Sequence, residues 1–291
     1  MKQLVFVSGK GGTGKTSLVA AMAQLFRPVV TADCDVDAAN LALLLDGEDG
    51  AAQPFEAGQR AVLNPDLCTR CGVCAETCRF DAIELEADGT PQFDPIACEG
   101  CRACSMVCPT DAITFRTNQA GLLWVRETVE GVLVRAELGV AQDNSGKLVA
   151  RVREVAREQA TAHGGQLVLI DGPPGIGCPV HASLTGCDAA VVVVEPSAAA
   201  KHDLERFLDL VEHFRIPVWA VLNKHDLSPE GAAQIAALCE RRDVPILARI
   251  PFDESVPQLV ARGQSPLCAS PEVARAVREA SEQIAQRLEL A

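Results

Sequence analysis

Short apolar runs without alternation recur along the chain, and amphipathic segments separate them. The runs lie at 4–7, 29–32, 167–170, 189–194, 218–222 and 246–250. Unbroken apolar runs of this length are typical of parallel strands that helices cover on both faces. Helical patterns follow at 199–214, 229–241 and 271–289. The pattern therefore predicts an α/β fold, in which helices cover a mainly parallel sheet.

The hydrophobic pattern changes after the second run. The acidic turn Asp33–Asp37 is followed by an apolar, helix-prone stretch at 38–45. Residues 50–59 are small and polar and include a proline, which indicates a linker. In the last predicted helix, an apolar stripe is expected to dock on the sheet of its own chain rather than on a membrane.

A cysteine-dense block interrupts the α/β alternation and repeats internally. LCTRCGVCAETCRFDAIEL at 67–85 matches ACEGCRACSMVCPTDAITF at 97–115, an offset of 30 residues. Each half predicts a cysteine loop, a short helix and a strand. We therefore expect a first part of the large domain at 1–54, an inserted small α+β domain at 60–118, and the second part of the large domain at 119–291.

Composition and charge exclude several classes of protein. The formal net charge of −13 has the wrong sign for neutralising the phosphates of a nucleic acid or binding anionic lipid. The apolar run at 189–194 is far shorter than the roughly 20 residues of a membrane-spanning helix. Eight of the 13 cysteines lie between Cys68 and Cys108, which indicates metal ligation in a reducing compartment. We expect a cytoplasmic protein without stable membrane insertion.

A glycine-rich motif follows the first apolar run. GKGGTGKT at 9–16 reads Gly, four residues, then Gly-Lys-Thr, between a predicted strand and a predicted helix. Lys15 is expected to reach the β- and γ-phosphates of a nucleotide, and Thr16 is expected to bind Mg²⁺. Ser17 is a lesser candidate for binding the α-phosphate. The backbone that would curl around phosphate oxygens belongs to Gly9, Gly11, Gly12, Thr13 and Gly14.

The cysteine spacing predicts two iron–sulfur clusters. Each half of the repeat reads Cys-x2-Cys-x2-Cys-x3-Cys, the two-cluster ferredoxin pattern, in which the last cysteine of each run ligates the other cluster. The expected ligands of one 4Fe–4S cluster are Cys68, Cys71, Cys74 and Cys108. The expected ligands of the other are Cys78, Cys98, Cys101 and Cys104. Proline follows Cys108 but Arg79 follows Cys78, and this positive charge would raise the potential of the second cluster.

The extra lysine of the glycine-rich motif, Lys10, resembles the deviant Walker A motif of the MinD, ParA and nitrogenase-iron-protein superfamily. The resemblance implies an ATPase that binds ATP or ADP with Mg²⁺. It also implies that Lys10 crosses a two-fold interface to the partner's nucleotide, so that ATP is sandwiched in a homodimer or in a heterodimer with a related ATPase. Lys10 would then act in catalysis beside Lys15.

Further segments resemble the switch and base-binding segments of the same superfamily. By this resemblance, Asp33 supports the magnesium shell and Asp35 orients or activates the attacking water. Asp171 follows a buried strand as a switch II aspartate would, holding Mg²⁺ through water, and Gly175 lets the backbone sense the γ-phosphate. The segments expected to contact the adenine contain Asn223, Lys224, Pro251 and Asp253.

Together the motifs resemble MinD-superfamily ATPases with an inserted ferredoxin domain. The resemblance implies that nucleotide-driven dimerisation is coupled to electron transfer, or to metal-cofactor assembly, on a redox or metal-cofactor partner protein. Two alternatives stay open: a spatial or scaffold ATPase with structural clusters, and a cluster carrier. A third, intersubunit site at Cys178 or Cys34 is also open, with ordinary packing as the alternative.

Overall fold

The computed structural model describes residues 1–139, 145–197 and 199–290. They form two compact units. The first comprises Met1–Gln53, Leu123–Glu137 and the chain from Ser145 onward, and the second comprises Pro54–Leu122 and the segment that begins at Leu138. Each unit has a core of its own.

The strands of the described residues alternate with helices through most of the first unit. The strands are β1 Lys2–Ser8, β2 Val29–Asp33, β3 Gly47–Asp49, β4 Gln53–Leu63, β5 Ile83–Leu85, β6 Pro91–Phe93, β7 Ile113–Thr128, β8 Gly131–Leu138, β9 Leu167–Pro174, β10 Ala189–Val194, β11 Val218–Asn223 and β12 Ile246–Ile250. The α-helices are α1 Lys15–Leu25, α2 Val73–Thr77, α3 Ala103–Met106, α4 Ser145–Ala162, α5 Cys178–Leu184, α6 Ala200–Glu212, α7 Pro229–Arg241, α8 Ser255–Ala261 and α9 Pro271–Leu288.

The first unit is built around one sheet, ordered β12-β11-β10-β1-β9-β2-β8-β7-β3. From β12 to β8 neighbouring strands run parallel, and β3 pairs antiparallel with β7. The α/β fold with a mainly parallel sheet is thus confirmed. Strands β1 and β10 are almost wholly buried because helices cover both faces, which explains their unbroken apolar sequences.

The carboxyl ends of the parallel strands meet at one edge, where ligands bind in open α/β sheets. Ser8, Asp33, Glu195, Asn223 and Pro251 all lie at or just beyond such ends. The register sets Asp33 directly opposite Asp171 on the neighbouring strand. The sheet therefore gathers segments that are far apart in sequence.

Two local predictions were wrong. The helix expected at 38–45 is only a 3-10 turn, Leu41–Leu43. The Asp33 carboxylate accepts hydrogen bonds from the backbone N–H groups of Asn40 and Leu41, and these bonds hold the preceding loop. The linker expected at 50–59 is largely strand β4, which pairs with β7. Backbone pairing with a distant strand gives this polar segment its regular structure.

The second unit has a small core in which cysteines take the place of larger apolar side chains. Cys74, Cys98 and Cys104 are buried there with Ile83 and Ile113. Strands β5 and β6 form a two-stranded antiparallel sheet, and α2 packs against α3. The two short helices start two residues after Cys71 and Cys101, so the internal repeat of the sequence is also a repeat of structure.

Candidate functional site

The glycine-rich loop runs from the end of β1 to the start of α1. Gly12 and Gly14 have φ values of 80° and 89°, in the left-handed region that favours glycine. A Cβ atom on Gly14 would lie 2.4 Å from Asn223 Nδ2, so this position has no room for a side chain. Thr16 is half-buried as the second residue of α1. The local sequence is therefore dictated by a tight loop that opens directly into a helix.

Beneath this loop a buried lysine meets a buried carboxylate. Lys15 Nζ lies 2.5 Å from Asp171 Oδ1, and the two side chains are 6% and 0% exposed. Asp171 Oδ2 and Thr13 Oγ1 are buried and have no hydrogen-bond partner among the described residues. Such atoms are costly unless something binds them. Their chemistry suits a hydrated Mg²⁺ ion and a phosphate, so the donor set fits the nucleotide and metal that the motif predicts.

Asp33 is a second buried carboxylate in the same place. Burial, and next the neighbouring charge of Asp171, raise the pKa of Asp33 to about 7, although it accepts backbone hydrogen bonds from Asp35, Asn40 and Leu41. Burial also raises the pKa of the Asp35 carboxyl. The structure thus brings Lys15, Asp33, Asp35 and Asp171 into one electrostatic cluster.

Lys10 extends from the loop to a glutamate that the sequence did not single out. Glu195, just after β10, accepts from Lys10 Nζ at 2.7 Å with one oxygen and from Lys224 Nζ at 2.8 Å with the other. Burial raises the pKa of Glu195, but the hydrogen bonds from the two lysines outweigh it and leave the pKa below its ordinary value. An acidic residue at the carboxyl end of a parallel strand was the available signal for this position.

The segments expected to contact the base line one cavity beside the loop. Asn223 donates from Nδ2 to Thr13 O at 2.7 Å, which ties β11 to the glycine-rich loop. Asp253 does not offer a free carboxylate, because it accepts hydrogen bonds from Ser255 and from the backbone of Ser270. The lining includes Gly14, Ser17, Asn223, Lys224, Pro251, Phe252, Asp253 and Val256. Phe252 belongs to the segment 250–253 that the sequence predicts beside the base, whereas Val256 was missed because nothing in the sequence distinguishes it from a core residue.

Gly175 lies just beyond β9 with φ 92°, and its N–H donates to Ser8 O at 2.8 Å. It therefore connects the segment after Asp171 to the start of the glycine-rich loop. Cys34 is fully buried, and burial raises the pKa of its thiol, whereas Cys178 is exposed at the start of α5. The two thiols differ sharply in their access to solvent.

The second unit contains two small cavities, each lined by four cysteines. One is lined by Cys68, Cys71, Cys74 and Cys108. The other is lined by Cys78, Cys98, Cys101 and Cys104. These are the two sets that the spacing predicts, with the last cysteine of each run facing the other run's cavity. Four thiols around each cavity are the ligands that a 4Fe–4S cluster takes, so the donor sets fit it.

The same thiols are not gathered around a single ion. Among the residues that the structure describes, no group of three or more His, Cys, Asp or Glu side chains converges on one metal-ion position.

Comparison with known proteins identifies the large unit. The model of the CobQ/CobB/MinD/ParA nucleotide binding domain matches residues 4–267. The chain belongs to this family. Its P-loop is accordingly the nucleotide-binding element of a MinD/ParA-type domain.

Relatives of this family member span its whole length. An uncharacterised protein of Methanocaldococcus jannaschii is 33% identical over 285 residues, which cover 97% of this chain and 96% of the relative. The septum site-determining protein MinD complexed with Mg-ADP from Pyrococcus horikoshii has a TM-score of 0.58 at 20% identity, over 97% of this chain and 95% of that one. MinD in a MinC:MinD complex from Aquifex aeolicus has a TM-score of 0.57 at 18% identity, over 98% and 96%. At these identities the two structures show a shared fold.

The apolar stripe of α9 packs into the core of the first unit, where Val273, Val277, Ile284 and Leu288 are all buried. This confirms the expectation that the helix docks on its own sheet. Within the described ranges, none of the helices combines the length and the apolar character needed to cross a membrane.

Proposed function

We propose that this MinD/ParA family member is an ATPase that carries two 4Fe–4S clusters in an inserted domain at 60–118. Its nucleotide-driven dimerisation is coupled to electron transfer, or to metal-cofactor assembly, on a redox or metal-cofactor partner protein. The observation that carries the proposal is the pair of cysteine-lined cavities, one for each predicted ligand set. The nucleotide half is supported by the buried Lys15–Asp171 pair and by the Mg-ADP complex of the MinD relative.

In the nucleotide site, Lys15 would bind the β- and γ-phosphates and Thr16 would bind Mg²⁺. Asp33 and Asp171 would hold the hydration shell of the ion, and Asp35 would orient the attacking water. The phosphate would compete with Asp171 for Lys15, and a Mg²⁺ ion that takes up the Asp171 carboxylate would draw it away from the ammonium group. Loss of this ion pair would release the segment from Asp171 to Gly175, which gives the switch a physical cause.

Lys10 would complete the site of a second copy, or of a related ATPase, across the ATP sandwich. To do so it must exchange its contact with Glu195 for the partner's nucleotide. Closure of the dimer would therefore be coupled to the rearrangement of Glu195 and Lys224. Hydrolysis would remove the γ-phosphate, and Lys10 would return to its ion pair with Glu195 of the same chain.

In the inserted domain, Cys68, Cys71, Cys74 and Cys108 would hold one cluster and Cys78, Cys98, Cys101 and Cys104 the other. Bound clusters supply one-electron chemistry at low potential. The chain's own residues supply the thiolates and the surrounding apolar side chains, such as Phe93 beside the second set. The reducing, cytoplasmic compartment that we expect for this protein would keep these cysteines from forming disulfides, so that they stay available as ligands.

The test is iron counting on the full chain purified without oxygen, with EPR spectra recorded with and without a non-hydrolysable ATP analogue. We expect about eight irons per chain. A Cys71→Ser/Cys74→Ser variant should keep about four, while the matched Cys187→Ser/Cys239→Ser variant, outside the inserted domain, should keep all of them. Iron near zero in the wild-type protein would overturn the cluster assignment.

A second candidate is a spatial or scaffold ATPase whose clusters are structural. It is favoured by the relatives, since solved structures with this fold include septum-site and cell-division proteins. The EPR comparison separates the two. A spectrum or potential that changes with nucleotide supports coupling to electron transfer or cofactor assembly. An unchanged spectrum together with ATP-dependent partner binding supports the scaffold, and iron that moves to an apo-protein during turnover supports a carrier.

A further inference from the structure

The two halves of the cysteine repeat have the same backbone but different side chains beside their last cysteines. Cys78 is followed by Arg79 and Phe80, whereas Cys108 is followed by Pro109 and Thr110. Three residues after the cysteines, Asp81 and Asp111 have φ values of 51° and 52°. The turns are therefore equivalent in backbone conformation, and they differ in their side chains.

Hydrogen bonds to sulfur are unevenly distributed between the two cavities. Cys108 Sγ accepts from Ala112 N at 3.3 Å and lies 3.8 Å from the Thr110 hydroxyl. In the same cavity, Cys68 Sγ accepts from Arg70 N at 3.4 Å. Cys78 and Cys98 are the counterparts of Cys108 and Cys68.

The counterpart thiols accept no comparable hydrogen bond in the part of the chain that the structure describes. Phe80 replaces Thr110 and has no hydroxyl to donate; it lines the cavity of Cys78 instead. Cys74 and Cys104 are matched: burial raises the pKa of both thiols, and the backbone N–H of the following residue, Ala75 or Ser105, opposes the rise. The asymmetry therefore lies at Cys68 and Cys108.

Donors to sulfur favour the more negative, reduced form of an iron–sulfur cluster. We propose that the cluster held by Cys68, Cys71, Cys74 and Cys108 has the higher reduction potential, and that the Thr110 hydroxyl, acting through Cys108, is one of the groups that sets the difference. This inference rests on the cluster assignment proposed above. One electron added to the protein settles on this cluster, and the other cluster is the stronger donor.

The proposal reverses the expectation from Arg79, whose positive charge predicts a higher potential for the other cluster. Arg79 is exposed, and water and salt screen the charge of an exposed guanidinium. The hydroxyl of the half-buried Thr110 acts at the sulfur itself. A short-range donor therefore outweighs a screened charge.

The experiment is an EPR-monitored redox titration of the full chain purified without oxygen, in which soluble mediators exchange one electron with each cluster. Wild-type protein should show two midpoints. Thr110→Val, which removes only the hydroxyl, should lower the upper midpoint and leave the lower one in place. We expect up to a tenfold change in the ratio of reduced to oxidised cluster at fixed potential, which equals about 59 mV for one electron.

The internal repeat supplies the controls. Thr110→Ser keeps a hydroxyl and should keep the wild-type midpoints, and Phe80→Thr, which places a hydroxyl at the equivalent position, should raise the lower midpoint. Coincident midpoints in the wild type, or a Thr110→Val shift of the lower midpoint or of neither, would overturn the inference. If Thr110→Val loses iron, the Phe80→Thr variant alone tests the inference. A lower midpoint that does not change in Phe80→Thr would then overturn it. Wild-type protein without iron would instead contradict the cluster assignment.

Discussion

Lys15, Asp33 and Asp171 form a buried cluster with one positive and two negative groups. Burial makes each unpaired charge expensive, so the ammonium group of Lys15 stabilises one carboxylate and the other is held by backbone N–H groups. The cluster is thus poised for a ligand that brings its own charges. A phosphate would take over Lys15, and Mg²⁺ would neutralise the carboxylates.

Lys15→Ala is expected to weaken nucleotide binding by roughly ten- to a hundredfold, because a hydrogen bond to a charged group contributes about 1.5–3 kcal/mol. Titration with a fluorescent ATP analogue measures it. The matched control is Lys201→Ala, an exposed lysine on α6, which should bind as the wild type does. Equal affinity of the Lys15 variant and the wild type would contradict the assigned role.

The raised pKa of Asp33 predicts a pH dependence of stability in nucleotide- and Mg²⁺-free protein. Between the ordinary pKa of 3.8 and the folded-state pKa of about 7, the folded protein binds the proton more tightly than the unfolded chain does. Stability should therefore fall as pH rises through this window, by at most about 1.4 kcal/mol per pH unit from this group. Urea unfolding of wild type and Asp33→Asn between pH 4.5 and 8 isolates the effect, and parallel curves for the two proteins would refute it.

At the level of elements, one carboxylate joins three strands at the end of the sheet. Asp49, on β3, accepts paired hydrogen bonds from Arg126 on β7 and from Arg135 on β8. These hydrogen bonds hold the pKa of Asp49 well below its usual range. Arg126 also donates to the carbonyl of Ala42, and Arg135 stacks over the Trp124 ring at 4.3 Å. Strand β3 is only three residues long, so this cluster supplies much of its attachment.

Asp49→Asn is expected to destabilise the protein by about 1 kcal/mol, since a network of bidentate pairs is worth more than an isolated surface pair. Because the folded-state pKa is depressed, this contribution is present above the ordinary pKa near 4 and is lost as pH falls below it. Urea unfolding at pH 7 and pH 3 measures both effects. Glu48→Gln, the exposed neighbour on β3, should change stability by less than about 0.5 kcal/mol; an equal loss in both variants would argue against the network.

For the whole molecule, the contact of Lys10 with Glu195 would distinguish a monomer from the closed dimer that we propose. The lysine is 40% exposed and is held by one ion pair, so its release costs little. The binding energy of a shared nucleotide can offset that cost. Nucleotide binding and association would then be linked, because the dimer requires a lysine that the monomer keeps for itself.

Lys10→Ala should bind nucleotide with nearly the affinity of the wild type but lose ATP-dependent dimerisation and with it hydrolysis. Light scattering after size-exclusion chromatography, with a non-hydrolysable ATP analogue, measures the mass of the complex, and phosphate release measures turnover. Lys201→Ala serves again as the control and should dimerise. A Lys10→Ala dimer with wild-type turnover would remove the lysine from the interface.

Much of this protein was determined by sequence alone, where the physical cause is local. Unbroken apolar runs predict the parallel strands because burial on both faces requires them, and the glycines of the P-loop follow from positive φ and close approach at Gly14. The cysteine spacing also predicts two sets of four, each with three neighbouring cysteines of one run and the last cysteine of the other. Apart from this exchange between the runs, these features depend on residues within a few positions of one another.

Only the tertiary structure decided how distant segments meet. Glu195 joins Lys10 and Lys224 because β10 lies between β1 and β11, an order that no local pattern contains. The polar segment at 53–63 is a strand because β7 supplies its hydrogen-bond partners. The unequal donors to Cys108 and Cys78 are likewise found only in the folded structure. Long-range contacts of this kind arise from the register and packing of the whole chain, whereas the motifs required only their own neighbours.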